Sequence, residues 1–221
     1  MSEKRNERKW KEWKNNYGIK GVLVWDPPGD GSCLFSAVRE CIHPQLICTN
    51  DHLRYYSALQ ILREDKESID NIILPTYRQE VENKEFHGAW DPMKCEGAEQ
   101  IAEAIVEPFH SGKGFDFQGD DTILCMLSKI LGIDFFMFNS TGKFPELVPV
   151  GVVGDDGGKG NKLEKNKYTV FLEYERKNSK HYRALGVEYE NGRLVQTMFP
   201  SNNLPANFKD YIDRRNETFK K

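Results

Sequence analysis

Asp30-Gly31-Ser32-Cys33-Leu34-Phe35 is the segment that decides how this chain is read. It follows a strand-like stretch, Val22-Leu23-Val24-Trp25, which Asp26-Pro27-Pro28-Gly29 stops, because prolines and glycine favour a turn over a continuing strand. After it, Leu34, Val38, Cys41 and Ile42 recur at helical spacing until Pro44 closes the helix. A tight turn thus delivers a cysteine to the first turn of an apolar helix. The unpaired N–H groups and the dipole at that end are expected to stabilise a thiolate and lower the thiol pKa. Gly29 and Gly31 let the backbone approach a reacting carbonyl, so N–H groups of the turn suit an oxyanion hole. A cysteine at a helix start is nonetheless more often structural, so a partner has to be found.

A thiolate nucleophile needs a base and proton donor, usually histidine. The chain offers His43, His52, His87, His110 and His181. His181 opens a strand-like run, His181-Tyr182-Arg183-Ala184-Leu185, which pairs with an apolar run at 168–174. A rigid strand can hold an imidazole over a helix N-terminus. The other four lie in helices or loops of the first half and read as surface or packing residues.

Outward from this segment, Thr49, Asn50 and Asp51 offer caps for a helix with an apolar face at Tyr55, Leu59 and Leu62. Helices are also expected around Ile69–Ile73, around Tyr77 and Val81, from Ala98 to Val106, and along Ile123, Leu124, Leu127, Ile130 and Leu131, with Gly132 closing the last. After Gly132 the period becomes extended, with strands expected at 133–139, 147–153, 168–174, 181–189 and 193–198. Asn191-Gly192 joins the last two as a hairpin. Helices in the first half and strands in the second favour one α+β domain. Residues 1–16, with Trp10 and Trp13 among alternating charges, read as an appended charged helix that packs its indoles or binds a partner, leaving 17–221 as the domain.

Of the 221 residues, 31 are Lys or Arg and 34 are Asp or Glu, a net charge of −3. That balance argues against polybasic binding to nucleic acid or a membrane surface. The five cysteines, Cys33, Cys41, Cys48, Cys95 and Cys125, form no CxxC pair, and their odd count argues against a disulfide scaffold. With no apolar signal region near the N-terminus, the expected compartment is the reducing cytoplasm.

The Asp-Gly-Ser-Cys-Leu-Phe run at 30–35, with His181-Tyr182 near the other end, resembles the ovarian-tumour (OTU) family of papain-like cysteine proteases. The segment 117–124, followed by 127–133, is similar to that family's middle block. The resemblance spans about Val22 to Leu185. It implies a papain-like OTU fold, a central, mostly antiparallel β-sheet flanked by helices (an α/β/α sandwich). It also implies hydrolysis of ubiquitin or a ubiquitin-like modifier from lysine side chains, through a thioester. Cys33 takes the nucleophile's place and His181 that of the general base and acid. Asp30 occupies the acidic position three residues before the nucleophile, where its backbone N–H would help form the oxyanion hole. Many members carry Asn or Asp two residues after the histidine to orient its ring. This chain has Arg183 there, a cation that only donates. The third member therefore comes from elsewhere, Asp30 or Asn178, or the pair works as a dyad. Phe117-Gln118 stands where a tryptophan is common.

Ubiquitin or polyubiquitin is the expected partner and the protein is expected to act as a monomer, without nucleic acid, membrane or cofactor, in the cytoplasm or a host's cytosol. Two other readings stay open: a catalytically silent ubiquitin-binding module, and a thiol protease acting on another modifier or a polyprotein. Cys41, His43, Cys48 and His52 fit no zinc module. The glycines at 151–160 fail the phosphate-loop pattern, since Gly160 follows Lys159 where Ser or Thr is required. Asp120-Asp121 and Asp155-Asp156 could meet arginines of a ubiquitin tail, but acidic pairs are more often helix caps or solvated.

Overall fold

The computed structural model describes residues 11–14, 20–84, 86, 90–107, 117–139, 145–147, 167–175, 181–189, 194–206, 208–210 and 212. Strands β1 (Lys11–Lys14) and β2 (Lys20–Trp25) precede a helical half: α1 (Cys33–Ile42), α2 (Asn50–Ile61), α3 (Lys66–Ser68), α4 (Leu74–Glu82), α5 (Ala98–Val106) and α6 (Asp121–Leu131). The strand half follows with β3 (Ile133–Asn139), β4 (Pro145–Leu147), β5 (Tyr168–Glu175), β6 (His181–Tyr189), β7 (Leu194–Gln196) and β8 (Met198–Pro200). The fold is α+β.

The sheet runs β1-β2-β6-β5-β3-β4, with β7 on β6 and β8 on β5. All pairs are antiparallel except β3 with β5. Both faces of the central strands are buried, and alternation sorts their side chains. Phe135, Met137, Val170, Leu172, Tyr182 and Ala184 join a core made with α1, α2, α4, α5 and α6. Phe136, Phe138, Phe171, Leu185 and Phe199 form a second core, covered by Phe208 and Ile212 from the helical residues near the C-terminus. There the rings of Phe171 and Phe208 stack at 4.2 Å.

Local chemistry explains the helix ends. Thr49 accepts from the His52 N–H, and the His52 ring accepts in return from the Thr49 N–H, a reciprocal box that starts α2. Asp120 caps α6 by accepting from the Ile123 N–H at 3.0 Å. Gly132 ends that helix in the left-handed conformation. Between α3 and α4 lies one π-helical turn, Ile69–Ile73. Pro75, which has no N–H for the preceding turn, falls in the first turn of α4 just beyond it.

Several expectations need correction. Lys11–Lys14 is a strand paired with β2, with Trp13 opposite Gly21, and not part of a helix; Trp10 lies outside the described residues. The buried face of α2 is Leu53, Arg54, Ser57, Ala58 and Ile61, while Tyr55 and Leu62 are exposed. The face departs from an apolar pattern because its second member is an arginine. The strand expected at 193–198 is two: at Thr197 the chain leaves β6 for β5. Residues 148–153, the Asn191-Gly192 turn and the glycine-rich stretch at 151–160 lie outside the described residues.

Candidate active site

Cys33 opens α1 and is 6% exposed. Ahead of it Gly31 takes a φ of 79°, a left-handed turn that favours glycine. Ser32 follows, and its N–H donates to Asp30 Oδ1 at 2.9 Å. The start of α1 packs on β6, and the backbone N–H of Tyr182, the residue after His181, acts on the Cys33 sulfur. The head of α1 and the first residues of β6 are therefore in contact.

Burial pushes the Cys33 thiol above its ordinary value. The N–H groups of Tyr182, Leu34 and Cys33 pull the other way without overcoming it, and the Asp30 charge adds to the rise. This corrects the expectation of a depressed thiol pKa from the helix N-terminus. In the resting protein desolvation wins over the helix end.

His181 is buried, and its Nε2 lies 2.9 Å from Oδ1 of Asp26. Asp26 is the first residue after β2, and a register shift places it there. Val22 pairs with Gly186 and Leu23 with Leu185, but Trp25 pairs with Ala184, so the strand holds one extra residue. That bulge brings the next residue, Asp26, abreast of Arg183. Burial pushes the Asp26 carboxyl up, but the Arg183 guanidinium, with His181 adding to it, outweighs burial and holds it below the ordinary carboxylate value. An ionised carboxylate only accepts. Nε2 of His181 is therefore the donor in this contact, and in the neutral ring Nδ1 carries the lone pair.

The structure thus brings Cys33 and the His181 strand together and gives His181 a partner that the sequence did not suggest. Asp26 takes the place expected of Asp30 as the ring's acceptor, because the Asp30 carboxylate turns back onto its own loop. Asn178 lies outside the described residues. Arg183 does not touch the ring as an acceptor but donates Nε to the same Asp26 oxygen at 3.0 Å. No pattern of residue types separates Asp26 from an ordinary turn aspartate, and only the bulge aims it.

Arg54 of α2 is a second residue the sequence did not single out. It is 1% exposed and donates to Gly31 O at 2.8 Å and Ser32 Oγ at 2.9 Å, tying down the loop before Cys33. Its other nitrogen reaches Ile105 O at 2.8 Å and Phe117 O at 3.2 Å, and its guanidinium lies 4.3 Å from the centre of the Phe35 ring. Burial pulls its pKa down to about 9, against the charges of Asp30 and Asp51. It remains a cation at neutral pH, stapling α1, the Cys33 loop, α5 and the 117–120 segment together. Gly119 shows how tight that junction is: a Cβ there would strike the Leu34 side chain.

The remaining candidates fall into packing roles. His43 is exposed, His52 serves the α2 box, and His87 and His110 lie outside the described residues. Cys41 is fully buried against β5, Cys95 is buried, and Cys48 and Cys125 are partly buried. Asp120 caps α6, and Asp121 accepts from the Tyr182 hydroxyl at 3.3 Å; Asp155-Asp156 lies outside the described residues. Among the described residues no cluster of His, Cys, Asp or Glu is arranged to hold a metal ion, and no helix is long and apolar enough to cross a membrane.

No protein-family model and no curated protein sequence matches the chain. Among solved structures the chain is similar to an OTU domain in complex with ubiquitin, at 16% identity over 87% of this chain and 81% of that one, with a TM-score of 0.49. It is similar to an OTU deubiquitinase from Wolbachia pipientis wMel bound to ubiquitin, at 15% identity over 80% of this chain and 94% of that one, TM-score 0.45. It is also similar to a viral OTU domain protease from Dera Ghazi Khan virus, at 14% identity over 81% of this chain and 96% of that one, TM-score 0.41. Likeness at that level leaves function to be read from the site's own residues.

Proposed function

We propose that the protein is a thiol-dependent hydrolase of the OTU type, cutting the bond after the C-terminal glycine of ubiquitin or a ubiquitin-like modifier. The observation that carries this reading is the Asp26–His181 contact on the strand whose first residues meet the start of α1, where Cys33 is buried. Cys33 is the nucleophile, His181 the base and acid, and Asp26 the carboxylate that fixes the ring's tautomer. The substrate class rests on the sequence resemblance of residues 30–35, 117–133 and 181–182.

The reaction closes as an acyl-transfer cycle. The raised thiol pKa means that Cys33 rests protonated and gives its proton to Nδ1 of His181 as sulfur attacks the carbonyl. The new oxyanion meets N–H groups of the Cys33 loop, among them the Asp30 N–H that the family resemblance implies; the Ser32 N–H is already engaged by Asp30 Oδ1. The imidazolium returns its proton to the departing lysine amine, leaving a thioester. Water, deprotonated by the same imidazole, then releases the carboxylate and the thiol. Asp26 stays ionised throughout and offsets the charge on the ring. Its presence weakens the case for a silent binding module, which drew on the lack of an acceptor after His181. This chemistry requires a free Cys33, which a reducing cytosol, the cell's own or a host's, would maintain.

The test is a ubiquitin probe with a thiol-reactive group at its C-terminus. The intact protein should form a covalent adduct that Cys33→Ala abolishes. An adduct that survives Cys33→Ala, or no adduct with intact protein, overturns the reading; adducts only with probes built on another modifier move the substrate there.

A further inference from the structure

We propose that Arg183 is the positioning residue of this site, clamping the Asp26 carboxylate against His181 while Glu173 and Glu175 hold the clamp from the neighbouring strand. The proposal rests on the catalytic reading of Cys33, His181 and Asp26 given above. His181 and Arg183 are two apart on β6 and so project to the same side. Both reach one oxygen, Asp26 Oδ1, at 2.9 Å and 3.0 Å. The other arms of the guanidinium are used as well: Nη1 lies 3.4 Å from Glu173 Oε2 and Nη2 2.7 Å from Glu175 Oε2. The β5–β6 register sets this up, with Glu173 opposite Arg183 and Glu175 opposite His181.

The arrangement has a physical logic. The Asp26 side chain is 53% exposed and sits in a turn, where a carboxylate would otherwise rotate freely into solvent. A planar guanidinium with fixed donor directions restricts it, as a lysine on a flexible stem does not. Glu173 and Glu175 fix the guanidinium in turn, so the orientation of His181 is built on two paired strands and not on the turn. The groups facing Asp26 are His181 and Arg183 from β6, with Glu173 and Glu175 behind them on β5, and Asp30 and Cys33 farther along its own segment. Without Arg183, the carboxylates of Asp26, Glu173 and Glu175 would lose the guanidinium that bridges all three. An arginine two residues after the histidine thus holds an acceptor supplied by another strand.

The test uses the full chain. Arg183→Gln should lower kcat on a ubiquitin substrate about 10-fold, the usual scale for losing a group that orients a reacting side chain, with KM nearly unchanged. Arg183→Lys should recover part of the loss. Glu175→Gln, which leaves the Asp26 pair intact, should give a smaller loss in the same direction and guards against Arg183→Gln failing to fold. Carbon-13 titration of the Asp26 carboxyl should move to higher pH in Arg183→Gln. Wild-type kcat in both Arg183→Gln and Glu175→Gln, or an unmoved Asp26 titration in a folded Arg183→Gln protein, overturns the proposal. If the wild-type protein neither cleaves nor labels, the proposed function falls, while the carboxyl titration still decides the clamp.

Discussion

Nε2 of His181 lies 2.9 Å from Oδ1 of Asp26, a residue 155 positions earlier in the chain. The pairing depends on the extra residue in β2 opposite β6 and on the turn that follows it. It separates two aspartates that the sequence places four residues apart. Asp26 orients the ring, and Asp30 shapes the loop.

The two roles predict different kinetic signatures. Asp26→Ala should lower kcat about 10- to 100-fold, because the ring loses the acceptor that fixes its tautomer. Asp26→Asn, which keeps an acceptor oxygen without the charge, should fall between that and wild type. Asp30→Ala frees the Ser32 N–H but leaves the Asp26 contact untouched, so the His181 ring should keep its tautomer. Nitrogen-15 spectra of the imidazole report the tautomer directly in each variant. A tautomer disturbed by Asp30→Ala and not by Asp26→Ala would reverse the assignment.

The contrast shows what a sequence can and cannot carry. Helices α1, α5 and α6 and strands β3, β5 and β6 were legible because each is an unbroken periodic run closed by a cap, glycine or proline. Cys33 and His181 were legible because a turn and a strand start gave them context. Asp26 was not, since its partner is set by strand register, a long-range property without a local signature. Arg54 was hidden for a related reason: a charged residue reads as solvent-facing until its donors are matched to carbonyls from three other segments. Lys11–Lys14 carries a charged composition suited to an exposed helix, and its strand conformation follows from pairing with β2.

The raised thiol pKa makes a prediction about reactivity without substrate. Site-resolved alkylation of Cys33 by iodoacetamide should rise with pH along a curve displaced upward from that of a free thiol, because burial holds the sulfur protonated. Labelling by a ubiquitin probe should remain fast near neutrality, since there the proton passes to His181 within the bound complex. An alkylation midpoint below that of a free thiol would show a preformed ion pair and refute this account.

Arg54 should matter to stability before it matters to chemistry. Arg54→Met removes the donors to Gly31, Ser32, Ile105 and Phe117 and leaves their buried oxygens unsatisfied. The expected cost is about 3 kcal/mol or more, the scale of breaking a buried charged network. Arg54→Lys keeps the charge but cannot fork to two pairs of acceptors, so it should recover only part. Urea unfolding measures both. A loss below about 1 kcal/mol for Arg54→Met, at the level of an ordinary surface change, would mean that the staple contributes little.

Asp120 offers a test with a definite sign in pH. Its carboxyl is fully buried, and burial pushes its pKa up to about 8, with Glu80 and Asp121 adding to the rise against the Ile123 N–H and the Tyr77 hydroxyl. Between the ordinary carboxylate value of 3.8 and about 8 the folded chain therefore holds a proton that the unfolded chain has released. Such a group favours the folded state fully below the unfolded pKa, and that advantage is lost as pH rises toward the folded value. Asp120→Asn stays neutral at every pH and keeps an oxygen to cap Ile123. Relative to wild type it should gain stability steadily from pH 4 to pH 8, with no further gain above. The measurement is urea unfolding of both proteins across that range. A difference independent of pH would show that Asp120 is ionised in the folded protein, and a growing advantage for wild type would reverse the sign.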